Sequence, residues 1–191
     1  MLSWKFGKVF ALVACFSLVA AACGSGNEDG NAYEADGVGS TASASLINPD
    51  GNVLGTADFE QGPTGVLITV AVNGLTPGAH GIHLHSVGSC TPDFKAAGGH
   101  ITATDEPQHG LKNPQRTVDN HDNGDLPNLY AAADGVAQAE FFTSLVTVSD
   151  GSMPALLDAD GSTLVIHENP DDHITQPIGG AGGRVACGII R

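Results

Sequence analysis

The chain has 191 residues, and its acids outnumber its bases: 21 Asp plus Glu against seven Lys plus Arg, a formal charge of −14. That balance excludes nucleic acid as a partner, since little is left to neutralise phosphates. For an anionic small molecule it is a handicap that local cations must offset. The eight histidines, more than all the cations, are the unusual part of the composition.

Met1 to Lys8 carries Lys5 and Lys8 and no acid, and Val9 to Ala22 is apolar or small apart from Ser17. A charged start before a stretch shorter than the ~20 apolar residues of a membrane span reads as an export signal over residues 1–22. It ends Val19-Ala20-Ala21-Ala22-Cys23-Gly24, which resembles the lipobox of bacterial lipoproteins and implies lipidation of Cys23. Ala20 departs from the Leu or Val preferred there. Leu12-Val13-Ala14-Cys15 fits the local pattern better but leaves too short an apolar region before it. An ordinary secretory peptide cut near Ala22 is the alternative, and either one exports the chain to the cell envelope.

Residues 23–37 are Gly, Ser, Asn, Asp, Glu and Ala with Tyr33 the one aromatic, a composition that cannot bury enough apolar surface to order itself and reads as a flexible tether. The remaining segment, 38–191, suits one domain with a proper core. Loss of residues 1–22 leaves five basic and 21 acidic residues, a charge of −16. Cys90 and Cys187 are then the cysteines left for the domain, one disulfide in an oxidising compartment; two free buried thiols are the alternative, which export disfavours.

No helical period is found after residue 40. Short alternating or β-branched runs predict strands at 38–47, 52–60, 66–72, 79–85, 126–132, 136–143, 163–167 and 184–190. Asn48-Pro49-Asp50-Gly51, Gln61-Gly62-Pro63, Thr76-Pro77-Gly78 and Asp134-Gly135 supply turns between them. Eight such strands describe an all-β antiparallel sandwich or barrel. Two long stretches, 86–124 and 168–183, break the rhythm, and loops of that length are usually functional or disordered.

The chemistry-bearing residues lie in the first of these stretches or at the strand ends that border the two. His83 and His85 stand two apart in an apolar run, so a strand would present both imidazoles on one face. Imidazole is a usual ligand for copper and zinc, and a strand that fixes two has already met much of the ordering cost. His100, His109, His121 with Asp125, and His167 complete a set of ligand-like positions. A lone His-x-His is weak evidence; the whole set is what favours metal. His80 reads as a structural donor to backbone at a strand start, and His173 as a solvated loop residue.

Gly81-Ile82-His83-Leu84-His85, Cys90, Ala97-Gly98-Gly99-His100, Gly124-Asp125-Leu126-Pro127-Asn128-Leu129, Leu164-Val165-Ile166-His167-Glu168 and Gly182-Gly183-Arg184-Val185-Ala186-Cys187-Gly188 follow one another in order. Over about residues 38–191 this pattern resembles that of the Cu/Zn superoxide dismutases. The resemblance implies an eight-stranded Greek-key β-barrel, an immunoglobulin-like sandwich, with its site on the outer wall under two long loops. It implies copper on His83, His85, His100 and His167, and zinc on His100, His109, His121 and Asp125, with His100 shared. Asp171 matches the family's carboxylate that ties a copper histidine, His83, to a zinc histidine, His109, with Asp172 as the alternative. Arg184 would flank the open copper position, where its planar donor fork suits a small anion. The implied reaction is dismutation of superoxide to O2 and H2O2, with Arg184 and His100 catalytic and His100 returning a proton. Members of the family pair in more than one way, so a homodimer is among the expectations.

Two features depart from the family pattern. Three residues, Asp122-Asn123-Gly124, separate His121 from Asp125 where two are usual, so either the loop bulges or Asp122 takes the ligand position; His121 is the expectation, because zinc prefers nitrogen there. The second loop has no lysine, and Ile178 stands where a small hydroxyl residue is usual. Guidance of superoxide would then rest on Arg184, the metals and Lys112 or Arg116. A non-catalytic copper- or zinc-binding domain, or a copper-delivery domain, on the same barrel is the rival reading.

Overall fold

The computed structural model describes residues 37–191, together with Met1. The export segment, Cys23 and the tether up to residue 36 lie outside the described residues. Nine strands are found among those described: β1 (Thr41–Ile47), β2 (Val53–Gly62), β3 (Gly65–Val72), β4 (Gly78–His80), β5 (Ile82–His85), β6 (Leu129–Ala131), β7 (Ala137–Thr143), β8 (Thr163–His167) and β9 (Arg184–Ile189). One short 3₁₀ helix, Phe94–Ala97, lies in the first long loop, its start capped by Asp93, whose carboxylate accepts from Lys95 N at 2.9 Å.

Seven strands form one antiparallel sheet in the order β5-β8-β9-β1-β2-β3-β7, and β4 pairs with β6. Because β4 runs on into edge strand β5 and β6 packs against the other edge strand, β7, the sheet curls into a Greek-key barrel. Residues 79–85, predicted as one strand, are two. Gly81 marks the switch: its N–H donates to Asn169 O, leaving β4 to pair with β6 and β5 with β8. The strand predicted from residue 126 begins at Leu129, since Pro127 has no N–H for a ladder and Asp125 is already bridged to His83.

Strand alternation builds the wall. Ala42, Ala44 and Leu46 of β1, Ala57 and Phe59 of β2, Val66, Ile68, Val70 and Val72 of β3, Ile82 and Leu84 of β5, and Leu164 and Ile166 of β8 all enter the core. With a period of two, His83 and His85 must then face outward from β5, and His167 from β8. They are nevertheless buried, because the two long loops fold over that face. A smaller apolar cluster of Cys90, Phe94, Ala97, Val165 and Cys187 anchors the first loop to the same wall, and a Cys90–Cys187 disulfide, Cα atoms 5.9 Å apart, fastens it to β9.

Candidate metal centre

β5 and β8 are antiparallel neighbours, His83 opposite Val165 and His85 opposite Thr163, so three outward histidines share one patch of wall. The loop delivers a fourth: His100 forms a backbone bridge with His85. Its ring centroid lies 4.2 Å from that of His83 and 4.9 Å from that of His85, and His167 lies 5.0 Å from His83.

Each ring is held from behind. His85 Nδ1 donates to Gly98 O at 3.0 Å and His167 Nδ1 to Gly182 O at 3.1 Å. A carbonyl only accepts, so the proton sits on Nδ1 and the lone pair on Nε2 is free. His83 is reversed, with Nε2 donating to Asp171 Oδ2 at 2.9 Å and Nδ1 free. The nitrogens left over, His83 Nδ1 and Nε2 of His85, His100 and His167, are all buried with no hydrogen-bond partner. The four side chains offer ligand atoms within 4.8 Å of one another. Four buried imidazole nitrogens that find no partner in the protein and converge on one another fit a copper ion.

His100 Nδ1 belongs to a second group with His109, Asp122 and Asp125. It lies 3.2 Å from Asp122 Oδ2 and 3.4 Å from Asp125 Oδ1, while His109 Nδ1 lies 2.6 Å from Asp125 Oδ1. Two imidazoles and two carboxylates in this compass suit zinc in a closed site, and His100 alone reaches both groups through its two nitrogens.

The expectation for His121 needs correcting: it does not join this group, and Asp122 does. The cause is local backbone anchoring. Leu84 N donates to Gly124 O, Gly124 N to Ile101 O, and the Asn123 side chain spans Ala103 N and Leu145 O. Gly124 lies so close that a Cβ would collide with the Leu84 carbonyl. With residues 123–124 pinned to the wall, Asp122 turns inward, and His121 turns to the other side, its Nδ1 donating to Thr117 O at 3.1 Å.

Asp171, the predicted link, does stand between the groups: beside its bond to His83, its two oxygens lie 3.2 and 3.1 Å from His109 Nε2. Asp172 is exposed and instead caps Ile174 and Thr175. His173, expected in solvent, packs against Asp171. His80 is buried with its ring nitrogens 2.6 Å from His167 O and 2.8 Å from Thr76 O, a backbone-tying role as expected. Arg184, opposite His167 across the β8–β9 ladder, donates to Phe94 O and Gly98 O, both at 2.6 Å. Gly98 O therefore steadies both Arg184 and His85. Arg116 is drawn inward, its Nη2 reaching Asp122 O at 3.4 Å, while Lys112 is exposed.

The two groups differ in charge. Burial pushes His83 down to about 3 and His167 to about 4, and holds His85 well below its ordinary value. That face presents neutral imidazoles. In the second group burial also works against charge, but hydrogen bonds to Asp122, Asp125 and Asp171 outweigh it and push His109 up to about 11; His100 is likewise raised by Asp122 and Asp125. Asp125 and Asp171, though buried, are held well below the usual carboxylate range by their histidine partners. Ionised carboxylates thus line the zinc side.

An antiparallel barrel carrying a dinuclear imidazole-rich centre on its outer wall defines a class of redox metalloprotein. Residues 53–190 match the copper/zinc superoxide dismutase family model. The chain is 52% identical over 153 residues to a superoxide dismutase [Cu-Zn] of Caulobacter vibrioides, covering 79% of this chain and 86% of that one. Among solved structures, a SOD-like protein from Bacillus subtilis aligns with a TM-score of 0.70 at 36% identity, over 77% of this chain and 96% of that chain. The Cu/Zn superoxide dismutase from Brucella abortus aligns at 0.64 and 28%, over 80% and 100%. The chain belongs to the copper/zinc superoxide dismutase family, and its cofactors are copper and zinc.

Proposed function

We propose that this protein dismutates superoxide, two superoxide ions and two protons giving O2 and H2O2, with copper held by His83, His85, His100 and His167 and zinc by His100, His109, Asp122 and Asp125. The observation that carries the copper assignment is the convergence of four buried nitrogens, each without a partner and each on a ring fixed from its far side. When bound, copper supplies the one-electron couple and zinc a fixed charge beside it.

The chain's own residues do the rest. The Arg184 guanidinium, braced by two carbonyls, presents a permanent cation beside His167 and draws the anion to that face. His100 Nε2 faces the copper group and can take up a proton and hand it to reduced dioxygen, while Asp122 and Asp125 keep Nδ1 in place. Gly98 O links loop, arginine and His85, so the anion site and the ligand set are held together.

The rival, a non-catalytic metal-binding or delivery domain, is not favoured, because all four copper histidines and Arg184 are gathered. Metal analysis with a dismutation assay on the purified protein tests the choice. One copper and one zinc per chain with cyanide-sensitive activity is the expected result; zinc alone without activity would favour the rival.

We further infer that the chain is exported and tethered to the envelope through lipid on Cys23, where it removes superoxide outside the cytoplasm; the charged start, the short apolar run and the lipobox-like end support this. Cys23→Ala should shift the protein from the detergent phase to the aqueous phase on partitioning, and an unchanged distribution overturns the anchor. Homodimer formation remains part of this reading, and sedimentation reads it directly.

A further inference from the structure

His109 is held at its backbone as well as at its ring, and one side chain of the other long loop grips both backbone groups. The His109 N–H donates to Gln176 Oε1 at 3.0 Å, and Gln176 Nε2 donates to His109 O at 2.8 Å. Nε2 also donates to Ile174 O at 3.2 Å. Turning the amide round would set N–H against N–H and oxygen against two carbonyls, so its orientation is fixed. The His109 carbonyl has a second donor, Asn113 Nδ2 at 3.0 Å. Its N–H has Gln176 Oε1 as its one acceptor among the described residues.

The turn that carries Gln176 is ordered by its own bonds. The Asp172 carboxylate accepts from Ile174 N and Thr175 N, both at 2.8 Å, and from Thr175 Oγ1 at 2.6 Å. Gly179 N donates to Thr175 O and Asp172 N to Gly179 O, which closes the turn. Gly179, φ 61°, lies directly over the bond between Asp171 and His109. A Cβ there would collide with Asp171 Oδ1 and come within 3.0 Å of His109 Nε2. One turn therefore covers the ring of His109 with Gly179 and grips its backbone with Gln176. The peptide group that Gln176 holds by its oxygen carries, at its other end, Gly110 N, which donates to Asp125 Oδ2 at 2.8 Å.

We propose that Gln176 is a positioning residue for the zinc site: its amide fixes the His109 backbone against the second loop, and so fixes where His109 Nδ1 meets Asp125. The inference rests on the metal centre read above. A histidine anchored at both N–H and C=O has only its two side-chain torsions left, and the bond from Nε2 to Asp171 settles those. Gln176 is exposed, so water could take over both backbone bonds in its place, but water would tie neither group to the second loop. Loss of an outer group that orients a ligand costs about 10–100-fold in metal affinity. Gln176 acts through backbone rather than on the ring, which places it at about the tenfold end.

The test uses the full-length chain in detergent, reading zinc affinity by chelator competition and ligand geometry by the visible spectrum of cobalt(II) in the zinc position. Gln176→Met keeps the length of the side chain and removes all its hydrogen bonds. It should weaken zinc about tenfold and shift the cobalt bands at saturation, which a general loss of loop stability would leave in place. Asn113→Ala removes the other donor on the His109 carbonyl but leaves the Gln176 bonds, so it should weaken zinc less and leave the cobalt bands unmoved. Zinc held by the methionine variant as tightly as by wild type overturns the inference. So does weaker zinc with unshifted cobalt bands, and so does an equal effect of Asn113→Ala. A wild-type chain that takes up no zinc overturns the metal centre itself and the inference with it.

Discussion

Asp122 and His121 are adjacent in sequence and opposite in fate, and the consequence can be measured residue by residue. Asp122 Oδ2 lies 3.2 Å from His100 Nδ1 and 3.7 Å from His109 Nδ1, whereas His121 bonds back to Thr117 O, its buried Nε2 without a partner. Asp122→Ala should therefore weaken zinc by more than the ~10–100-fold of an outer partner, while His121→Ala leaves zinc affinity near wild type; chelator competition on both separates the two assignments, and the reverse order restores His121 as the ligand. Copper content should be unchanged in His121→Ala, which touches no copper ligand, and should fall less than zinc in Asp122→Ala, where Asp125 still holds His100 Nδ1. Arg184 belongs to the same scale. Arg184→Ala removes the cation beside His167 and two loop contacts together, so kcat/KM should fall by about tenfold or more, and Arg184→Lys should recover only part, since a point charge cannot grip Phe94 O and Gly98 O at once.

The elements that bear the site differ in how legible they were from sequence. The wall was readable because its alternation is strict: in β1, β3 and β8 apolar side chains recur at every second residue or run unbroken, and this places His83, His85 and His167 on one outward patch. The long loops were not. Their shape is set by backbone bonds between distant residues, such as Gly124 N to Ile101 O and Gln108 N to Asn120 O, which no local pattern announces. The exchange of Asp122 for His121 and the half-burial of His173 both follow from that. Spacing from Asp125 was the signal for the former: Asp122, not His121, has the usual two intervening residues. At this scale the disulfide is the decisive link. Cys90 and Cys187 are 97 residues apart, and in the chain-entropy model a loop of that size is worth about 4.7 kcal/mol. Cys90→Ser should lower the denaturation midpoint accordingly and also loosen Gly98, so activity should fall more than metal content. The histidine patch adds a pH limit to the metal-free protein. His83 and His167 stay neutral in the fold, pushed down to about 3 and 4 from an ordinary 6.5, so the unfolded chain binds protons first as pH drops. Their burial therefore costs stability progressively from about pH 6.5 down toward 3–4, on the order of a few kcal/mol in all. His109 runs the other way: raised to about 11, its contribution is complete below 6.5 and is lost only as pH climbs through 11. Denaturation of the metal-free protein at pH 7 and pH 4.5 reads the balance, and equal stability at both would contradict it.

On the scale of the whole molecule, the field opposes the substrate. The chain carries −14, or −16 without its first 22 residues, and the described region holds five cations: Lys95, Lys112, Arg116, Arg184 and Arg191. Arg116 is turned inward toward Asp122, and Arg184 is braced on two carbonyls, so Lys95 and Lys112 remain as exposed lysines near the loops. At about 0.01 M salt the screening length is ~30 Å, and superoxide feels the entire acidic surface; at about 0.15 M it is ~8 Å, and Arg184 with the bound metals dominates. Moderate salt should therefore raise kcat/KM, or leave it level, where a positively steered enzyme would slow. Lys112→Glu should lower the rate at low salt and have little effect at high salt, because its charge acts only at a distance. A wild-type rate that falls steeply between those two salt concentrations would show that local cations outweigh the net charge, and would move the guidance of superoxide from Arg184 and the metals to the loop lysines.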